Sequence, residues 1–254
     1  MSGTFVNIHI LKNLSQTERS KEVVEMTKLA IENNEFKNLK TFLLISKDID
    51  VHIDVNAPEF AEKDPNDRFY GWTLIQKAAY YNEPSKLEVL MQFTANTNAP
   101  TPCGWTPIQI AVNKVHLEIV KILAPHTNTP NAANPLRNNP ALRLRFNGWT
   151  PLQVAVENAG YSEDIFDDRT ERCTEIVKIL APLADNPNAQ NPQGWTPLQK
   201  AVSYVPYGPY GITEIVKIFA PLASADNLNV SKDPDGYTIL ERATLLKKHM
   251  LKYL

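Results

Sequence analysis

The hexapeptide GWTPLQ stands at residues 194–199, and near copies begin at 71 (GWTLIQ), 104 (GWTPIQ) and 148 (GWTPLQ). In three of the copies a threonine precedes a proline, the arrangement of a helix N-cap with proline at the first helical position, where its missing N–H costs nothing. A second shared block follows each copy, with sequences such as LEIVKILAP from 117 and TEIVKILAPL from 174. Its apolar residues recur at helical spacing. Each copy therefore predicts a pair of short helices.

The frame recurs with a short period. Its glycines stand at 71, 104, 148 and 194, and again at 236 in GYTILE, with separations of 33, 44, 46 and 42 residues. The shortest separation indicates a 33-residue unit, which carries insertions of 11, 13 and 9 residues in the later copies. Thr-Pro-Leu followed by polar and small residues at this period resembles the ankyrin repeat, whose signature is T-P-L-H-x-A.

The resemblance implies an all-α fold, an ankyrin-repeat solenoid of stacked helix-turn-helix units with projecting loops or hairpins. The chain would form a single domain, 1–254, because the sequence at 29–51 is similar to the helix-turn-helix part of a further unit. The expected order is an N-terminal capping unit, four full repeats and a C-terminal partial or capping unit: 18–70, 71–103, 104–147, 148–193, 194–235 and 236–254.

Two features depart from the family pattern. A glutamine replaces the usual histidine after Thr-Pro-Leu, which keeps a hydrogen-bonding side chain but loses its titration. The glutamines are Gln76, Gln109, Gln153 and Gln199. In addition, Pro125, Pro182 and Pro221 fall near the end of each second helix. Because proline removes a helical hydrogen bond and restrains the residue before it, we expect these helices to end early or to bend.

Composition narrows the class of protein. Hydrophobic residues make up 43% and charged residues 21% of the chain, as in folded soluble proteins. The formal charge of −2 argues against a nucleic-acid or membrane partner. Cys103 and Cys173 lie in different repeats without metal-site spacing, and the N-terminus has no signal-peptide pattern. We therefore expect a cytoplasmic protein with reduced thiols, or alternatively a nuclear one, and not a secreted one.

The sequence shows no catalytic constellation. Only His116 and His126, among five scattered histidines, are within ten residues of each other, so no metal pair results. His116 falls at the turn where the ankyrin family commonly carries histidine, and a structural hydrogen bond is expected for it. We predict no enzyme activity, no metal and no cofactor, because a function must be argued from a site. A remote alternative is a divalent ion held by acids of one insertion: Asp164, Asp167, Asp168 and Glu171.

The resemblance also implies a binding surface, on the concave face and finger tips, formed by residues beside the frame glycine and at the end of the first helix. Carried onto this chain, the partner-binding set is Phe69, Tyr70, Trp72, Tyr80, Tyr81, Trp105, Asn113, Lys114, Phe146, Trp149, Glu157, Trp195 and Tyr204. The four tryptophans would form one exposed row, with a groove for a peptide or protein centred on Trp72 and Trp105. The alternative is that each indole packs against the loop of the neighbouring repeat.

Three insertions are further candidates for contacts. They span 126–147, 157–172 and 203–211, and they are respectively arginine-bearing, acidic and tyrosine-rich. The arginines are Arg137, Arg143 and Arg145. Each insertion is either a binding loop or a surface loop without a function. The second alternative is open because lengthening a surface loop costs little loop entropy.

The leading hypothesis is a non-catalytic adaptor or scaffold that binds a protein or peptide partner. A monomer is expected rather than an oligomer. The alternative is a self-assembling or structural segment of a larger assembly. The molecules of that assembly would contact each other through the C-terminal element, which is more apolar than a terminal repeat facing water should be. The apolar residues there are Leu245, Leu246, Met250 and Leu254.

Overall fold

The structure, a computed structural model, describes residues 11, 13–32, 36–48, 55–56, 67, 69–93, 95–134, 146–160, 168–204, 211–223 and 232–250. Within these ranges every regular element is a helix, which agrees with the all-α prediction. The α-helices are α1 (Gln16–Glu32), α2 (Phe36–Asp48), α3 (Leu74–Tyr81), α4 (Pro84–Gln92), α5 (Pro107–Lys114), α6 (Leu117–Leu123), α7 (Pro151–Gly160), α8 (Arg169–Leu180), α9 (Pro197–Tyr204), α10 (Gly211–Phe219) and α11 (Ile239–Met250). None of these helices is long and apolar enough to cross a membrane.

The chain divides into two compact units, one of residues 1–78 and 85–96 and the other of residues 79–84 and 97–254. In the first unit α1 packs on α2. In the second unit α5, α7, α9 and α11 pack side by side in one layer, and α6, α8 and α10 in another. Each repeat of the second unit thus packs on the next, which is the serial arrangement that a repeated sequence favours.

The second helices of three repeats end as their prolines predict. The α-helices α6, α8 and α10 are each followed by a three-residue 3₁₀ turn with proline at its centre: Ala124–His126, Ala181–Leu183 and Ala220–Leu222. Proline can occupy the first turn of such a segment, where its N–H would have no partner, but it cannot continue an α-helix. The prediction that these helices end early is confirmed.

A shared cap begins the first helix of every unit from residue 71 onward. The backbone N–H of a threonine donates to the side-chain oxygen three residues later, at 2.8–2.9 Å. The pairs are Thr73–Gln76, Thr106–Gln109, Thr150–Gln153, Thr196–Gln199 and Thr238–Glu241. This is half of a capping box, and it satisfies a backbone donor that the helix leaves unpaired.

Two of these glutamines also tie the first helix of a repeat to the loop that leads to the next repeat. The Nε2 of Gln109 donates to the carbonyl oxygens of Ala132 and Ala133, at 3.0 and 3.2 Å. The Nε2 of Gln153 donates to the carbonyl of Ala189 at 2.8 Å. A glutamine can make both contacts at once because its amide group carries an acceptor and two donors. This double use gives a structural reason for glutamine at the position where the family usually carries histidine.

Two backbone hydrogen bonds, both made by one residue, close the base of the loop between repeats. At Asn191, the N–H donates to the carbonyl of Trp195 at 2.9 Å, and the carbonyl accepts from Gly194 N–H at 2.8 Å. The frame glycine has a φ of 84° here, a left-handed conformation that glycine adopts without strain. Asn134 makes the same two bonds with Trp149 and Gly148, although an insertion now separates them. The base of the loop is therefore the same in a repeat with an insertion as in the repeat at 194.

His116 is a structural residue, as the sequence predicts. It precedes α6, and its Nδ1–H donates to the carbonyl oxygen of Ala79 at 2.9 Å. Burial lowers the pKa of His116, the bond to Ala79 opposes this effect, and the nearby charges of Lys114 and Arg172 add to it. The folded protein therefore favours the neutral imidazole.

We expect the stability of the protein to fall in mild acid through His116. A group whose pKa is depressed by folding contributes stability above its ordinary pKa and loses that contribution as the pH falls through the folded pKa. The measurement is the free energy of unfolding in urea at about pH 7.5 and about pH 5. His116→Asn is the control, because its amide can donate in place of Nδ1–H without titrating. Wild-type protein should lose more stability than His116→Asn between the two pH values, and parallel losses would contradict the prediction.

Candidate functional site

Three of the four frame tryptophans are core residues. Trp72, Trp105 and Trp149 are at most 5% exposed. Trp72 packs edge-on against Phe69, with ring centroids 5.1 Å apart, and Trp149 packs against Phe146 at 5.4 Å. The prediction of an exposed row, with a groove centred on Trp72 and Trp105, is therefore wrong for these three residues.

The burial has a local cause. The carbonyl of Trp105 accepts a hydrogen bond from Thr101 N–H at 2.8 Å, and Thr106 then caps α5. The tryptophan thus lies at the base of the loop, where the chain enters the helical stack, and not at the loop tip. The indole N–H groups of Trp105 and Trp149 are buried, and no atom of the described residues accepts from them.

The other predicted site residues divide between core and surface. Phe69, Asn113, Phe146 and Glu157 are buried, so the expectation that they are exposed is also wrong. They lie where a first helix ends or where a loop joins the stack. Six predicted residues keep accessible surface: Tyr70 and Tyr81 are about half exposed, and Tyr80, Lys114, Trp195 and Tyr204 are partly buried.

Trp195 differs from the other three tryptophans because it is partly exposed and lies between two cations. Lys200 Nζ is 5.2 Å from the centroid of its indole, and Arg242 Cζ is 5.1 Å from it. Lys200 also lies 5.1 Å from the ring of Tyr204, and Arg242 lies 5.2 Å from the ring of Tyr237. These distances are within the range of cation–π attraction. Rings and cations alternate along the series Tyr204, Lys200, Trp195, Arg242 and Tyr237, which we call the ladder.

The buried carboxylate of Glu157 holds one end of the ladder. Glu157 is 3% exposed, and its Oε2 accepts from the Tyr204 hydroxyl at 2.7 Å and contacts Lys200 Nζ at 3.2 Å. A buried carboxylate is costly unless it is paired and hydrogen-bonded, and these two partners supply that compensation. The contacts also fix the orientation of both ladder residues.

Acidic residues likewise hold the other end of the ladder. Arg242 donates through Nε to the buried carboxylate of Asp233, and through Nη2 to Asp235 at 2.7 Å. Asp233 Oδ1 in turn accepts the backbone N–H groups of Asp235 and Tyr237, each at 3.0 Å. The loop that carries Tyr237 and the cation beside it therefore form one hydrogen-bonded assembly.

The ring of Tyr204 lies directly on a glycine of the preceding repeat. A Cβ added at Gly160 would be 2.3 Å from two ring carbons of Tyr204, closer than real Cβ contacts. The absence of a side chain at Gly160, in the last turn of α7, is what allows the phenol to reach Glu157. Residues 161–167, which belong to the insertion at 157–172, lie outside the described residues.

A second cluster of the predicted residues forms where α3 and α5 end. Lys114 Nζ lies 4.1 Å from the ring centroid of Tyr80, and Tyr80 contacts Tyr81 edge-on, at 5.2 Å between centroids. We call Tyr80, Tyr81 and Lys114 the tyrosine cluster. The structure thus brings together three of the predicted residues here, as it brings Glu157, Trp195 and Tyr204 together at the ladder.

Sequence reasoning missed Lys200, Arg242 and Tyr237, although a signal was present. Tyr237 follows Gly236 and so occupies the tryptophan position of its unit. Lys200 and Arg242 each stand six residues after a frame glycine, where the units at 104 and 148 carry the buried residues Ile110 and Val154. A cation at that position separates the last two units from the units at 104 and 148, but the unit at 71 carries Lys77 there as well, beside the buried Trp72.

Several predicted features cannot be located. Arg137, Arg143 and Arg145 lie outside the described residues, as do Asp164 and Asp167 of the alternative metal site. Among the residues that the structure does describe, no group of three His, Cys, Asp or Glu side chains could hold a metal ion.

Comparison with known proteins supports the repeat interpretation. A family model described as ankyrin repeats (3 copies) matches residues 28–134 and, in an overlapping match, 75–166, together more than half of the 254-residue chain. A search of curated proteins finds no match. Ankyrin repeats are generally protein–protein interaction modules and are typically non-catalytic. The matched region contains the frames at 71, 104 and 148, the helix pairs of the first two frames and the first helix of the third. This chain belongs to the ankyrin-repeat family.

Proposed function

We propose that this protein is a non-catalytic adaptor that binds a protein or an extended peptide across the ladder and the tyrosine cluster. Both groups lie at the ends of first helices or in the loops that precede them, the positions that the family resemblance assigns to binding. Their accessible residues include Tyr81, which is 51% exposed, and Tyr237, which is 41% exposed.

The observation that carries the proposal is the state of Trp195. Its three counterparts in the frame are buried, whereas Trp195 keeps accessible surface and is held between two cations that buried acids fix in place. A large aromatic side chain that is already immobilised loses little conformational entropy on binding, and such residues dominate binding energy at interfaces. The ladder is therefore organised before a partner arrives.

The charge of the ladder favours a protein partner over a nucleic acid. Lys200 contacts Glu157, and Arg242 contacts Asp233 and Asp235. Because each ladder cation already has a carboxylate partner, the ladder presents aromatic rings and not a basic patch. Nucleic-acid affinity depends largely on unneutralised cations that displace counterions from phosphates.

The test compares capture of proteins from native extract by the intact chain and by a Trp195→Ala/Tyr237→Ala variant. We expect the double substitution to weaken capture of the specific partner by about tenfold or more, since truncating an aromatic hot spot costs about 2 kcal/mol or more. The matched control is Leu183→Ala, which truncates a residue that is 45% exposed and outside the ladder. Circular dichroism should show the same helical content for all three proteins. Equal capture by the double variant and the intact chain would refute the proposal.

A further inference from the structure

The last described helix exposes a face that earlier repeats bury. Leu240 stands four residues after the frame glycine and is 52% exposed. The same position in the four preceding units is at most 2% exposed. Those residues are Ile75, Ile108, Leu152 and Leu198. Four residues further on, Thr244 is exposed, whereas Val156 and Val202 at that position are buried. The face that packs on a following helix pair elsewhere in the stack is thus uncovered on α11.

The exposed face forms a shallow groove, lined by Tyr237, Leu240, Glu241, Thr244 and Leu245. Leu245 is 47% exposed, so two leucines and a tyrosine ring contribute most of the apolar surface. We call this surface the α11 groove. An apolar helix face that the equivalent helices of the stack keep buried favours an occupant.

One substitution shows what kind of occupant fits. At the helix position where Gln109 and Gln153 donate to backbone carbonyls of the loop that leads to the next repeat, α11 carries Glu241. Hydrogen bonds from the backbone and side chain of Thr238 hold the pKa of this carboxyl below its ordinary value, so it is ionised near neutral pH. A carboxylate accepts hydrogen bonds but cannot donate them. The carbonyls of another ankyrin loop would therefore be repelled here, and a cation would be attracted.

The first unit of the same chain offers a surface with that chemistry. On α2, Lys40, Leu44 and Lys47 are exposed at spacings of four and three residues, which place them on one face of the helix. Leu44 is 44% exposed, and a lysine lies on each side of it. Asp48 at the end of the helix is also exposed and leaves this face with net positive charge. We call this surface the α2 face.

We propose that the α11 groove of one molecule binds the α2 face of a second copy, head to tail. In this arrangement Leu44 enters the groove beside Leu240 and Leu245, and Lys40 or Lys47 approaches Glu241. The contact joins two different surfaces, so a molecule with one of its two surfaces occupied can bind a further copy through the other.

The association is expected to be weak. A stable interface buries roughly 1,200–2,000 Å², and one helix in one shallow groove provides less than that. Exposed charge pairs add little affinity and mainly set orientation. We therefore expect self-association at concentrations of tens to hundreds of micromolar, on the order expected for a small interface.

The first test is sedimentation equilibrium of the whole chain over a concentration series. The average mass should rise above the 28.6 kDa of one chain as concentration increases. Leu240→Glu and Leu44→Glu, each at an exposed position, should hold the mass at one chain. Leu183→Glu, an equally exposed position outside both surfaces, should associate as the wild type does. A wild-type mass that stays at one chain throughout, or association by Leu240→Glu equal to that of wild type, would overturn the proposal.

The second test is a mixture of the two blocked variants. Leu240→Glu keeps an intact α2 face and Leu44→Glu keeps an intact α11 groove, so a mixture should form one-to-one pairs and no larger species. If Leu44→Glu alone still formed pairs, the contact would be a symmetric one between two α11 grooves, and the head-to-tail arrangement would be wrong. If the mixture stayed at the mass of one chain, the two surfaces would not recognise each other, which would also overturn the proposal.

Discussion

Replacing Trp105 by alanine is expected to lower the free energy of unfolding by about 3–5 kcal/mol, the usual cost of emptying a fully buried aromatic site. Trp105 is 1% exposed, and it lies next to the Thr106 cap, where the loop enters the stack. The cavity would therefore open between a loop base and a helix that cannot both collapse into it. Urea unfolding followed by circular dichroism measures the loss.

Trp195→Ala is the matched comparison, because it removes the same side chain from the same frame position. Its indole keeps accessible surface, so we expect a clearly smaller loss of stability than for Trp105→Ala. Partner capture should show the opposite order, with the larger effect at Trp195. Equal losses of stability for the two variants would mean that the difference in burial has no energetic consequence, and it would contradict our assignment of one indole to the core and the other to the surface.

The second large effect is expected at Gly160, where alanine should lower the free energy of unfolding by about 2–4 kcal/mol. The new methyl group would collide with the ring of Tyr204. Moving that ring removes the hydroxyl that donates to Glu157 and leaves a buried carboxylate with fewer partners. The expected cost combines overpacking with the loss of a hydrogen bond to a charged group.

A double-mutant cycle separates this mechanism from a general intolerance of alanine at Gly160. In a Tyr204→Ala background the collision is absent, and Gly160→Ala should then cost little or stabilise, because alanine is better than glycine within a helix by roughly 0.5–1 kcal/mol. The same loss in both backgrounds would show that Tyr204 is not the cause. Unfolding free energies of the four proteins, measured in urea, complete the cycle.

Local features of the sequence predicted most of the helical repeat. Threonine before proline marked where α5, α7 and α9 begin, and the prolines in the second blocks marked where the paired helices end. These predictions succeeded because caps and proline act through neighbouring atoms of the same chain. The structural role of His116 followed from the family resemblance and not from its neighbours in the sequence, because its hydrogen bond reaches Ala79, 37 residues earlier.

The candidate site was predictable only in part. The rule that binding residues lie beside the frame glycine placed Trp105 and Trp195 in the same class, but one is core and the other is partly exposed. Lys200 and Arg242 make the difference at Trp195, and Arg242 reaches it from the following unit. No feature of the sequence near Trp195 predicts its contact with Arg242, which lies more than forty residues further along the chain.

The sequence by itself determined the repeat, the starts of its first helices and the early ends of its second helices, because these depend on short-range periodicity, caps and proline. Only the tertiary structure decided which aromatic side chains remain accessible, how Glu157 is paired and which face of α11 stays uncovered. The physical reason is that exposure and pairing depend on the atoms that a neighbouring repeat brings into contact. Equivalent residues in a repeated sequence therefore share a backbone conformation without sharing an environment.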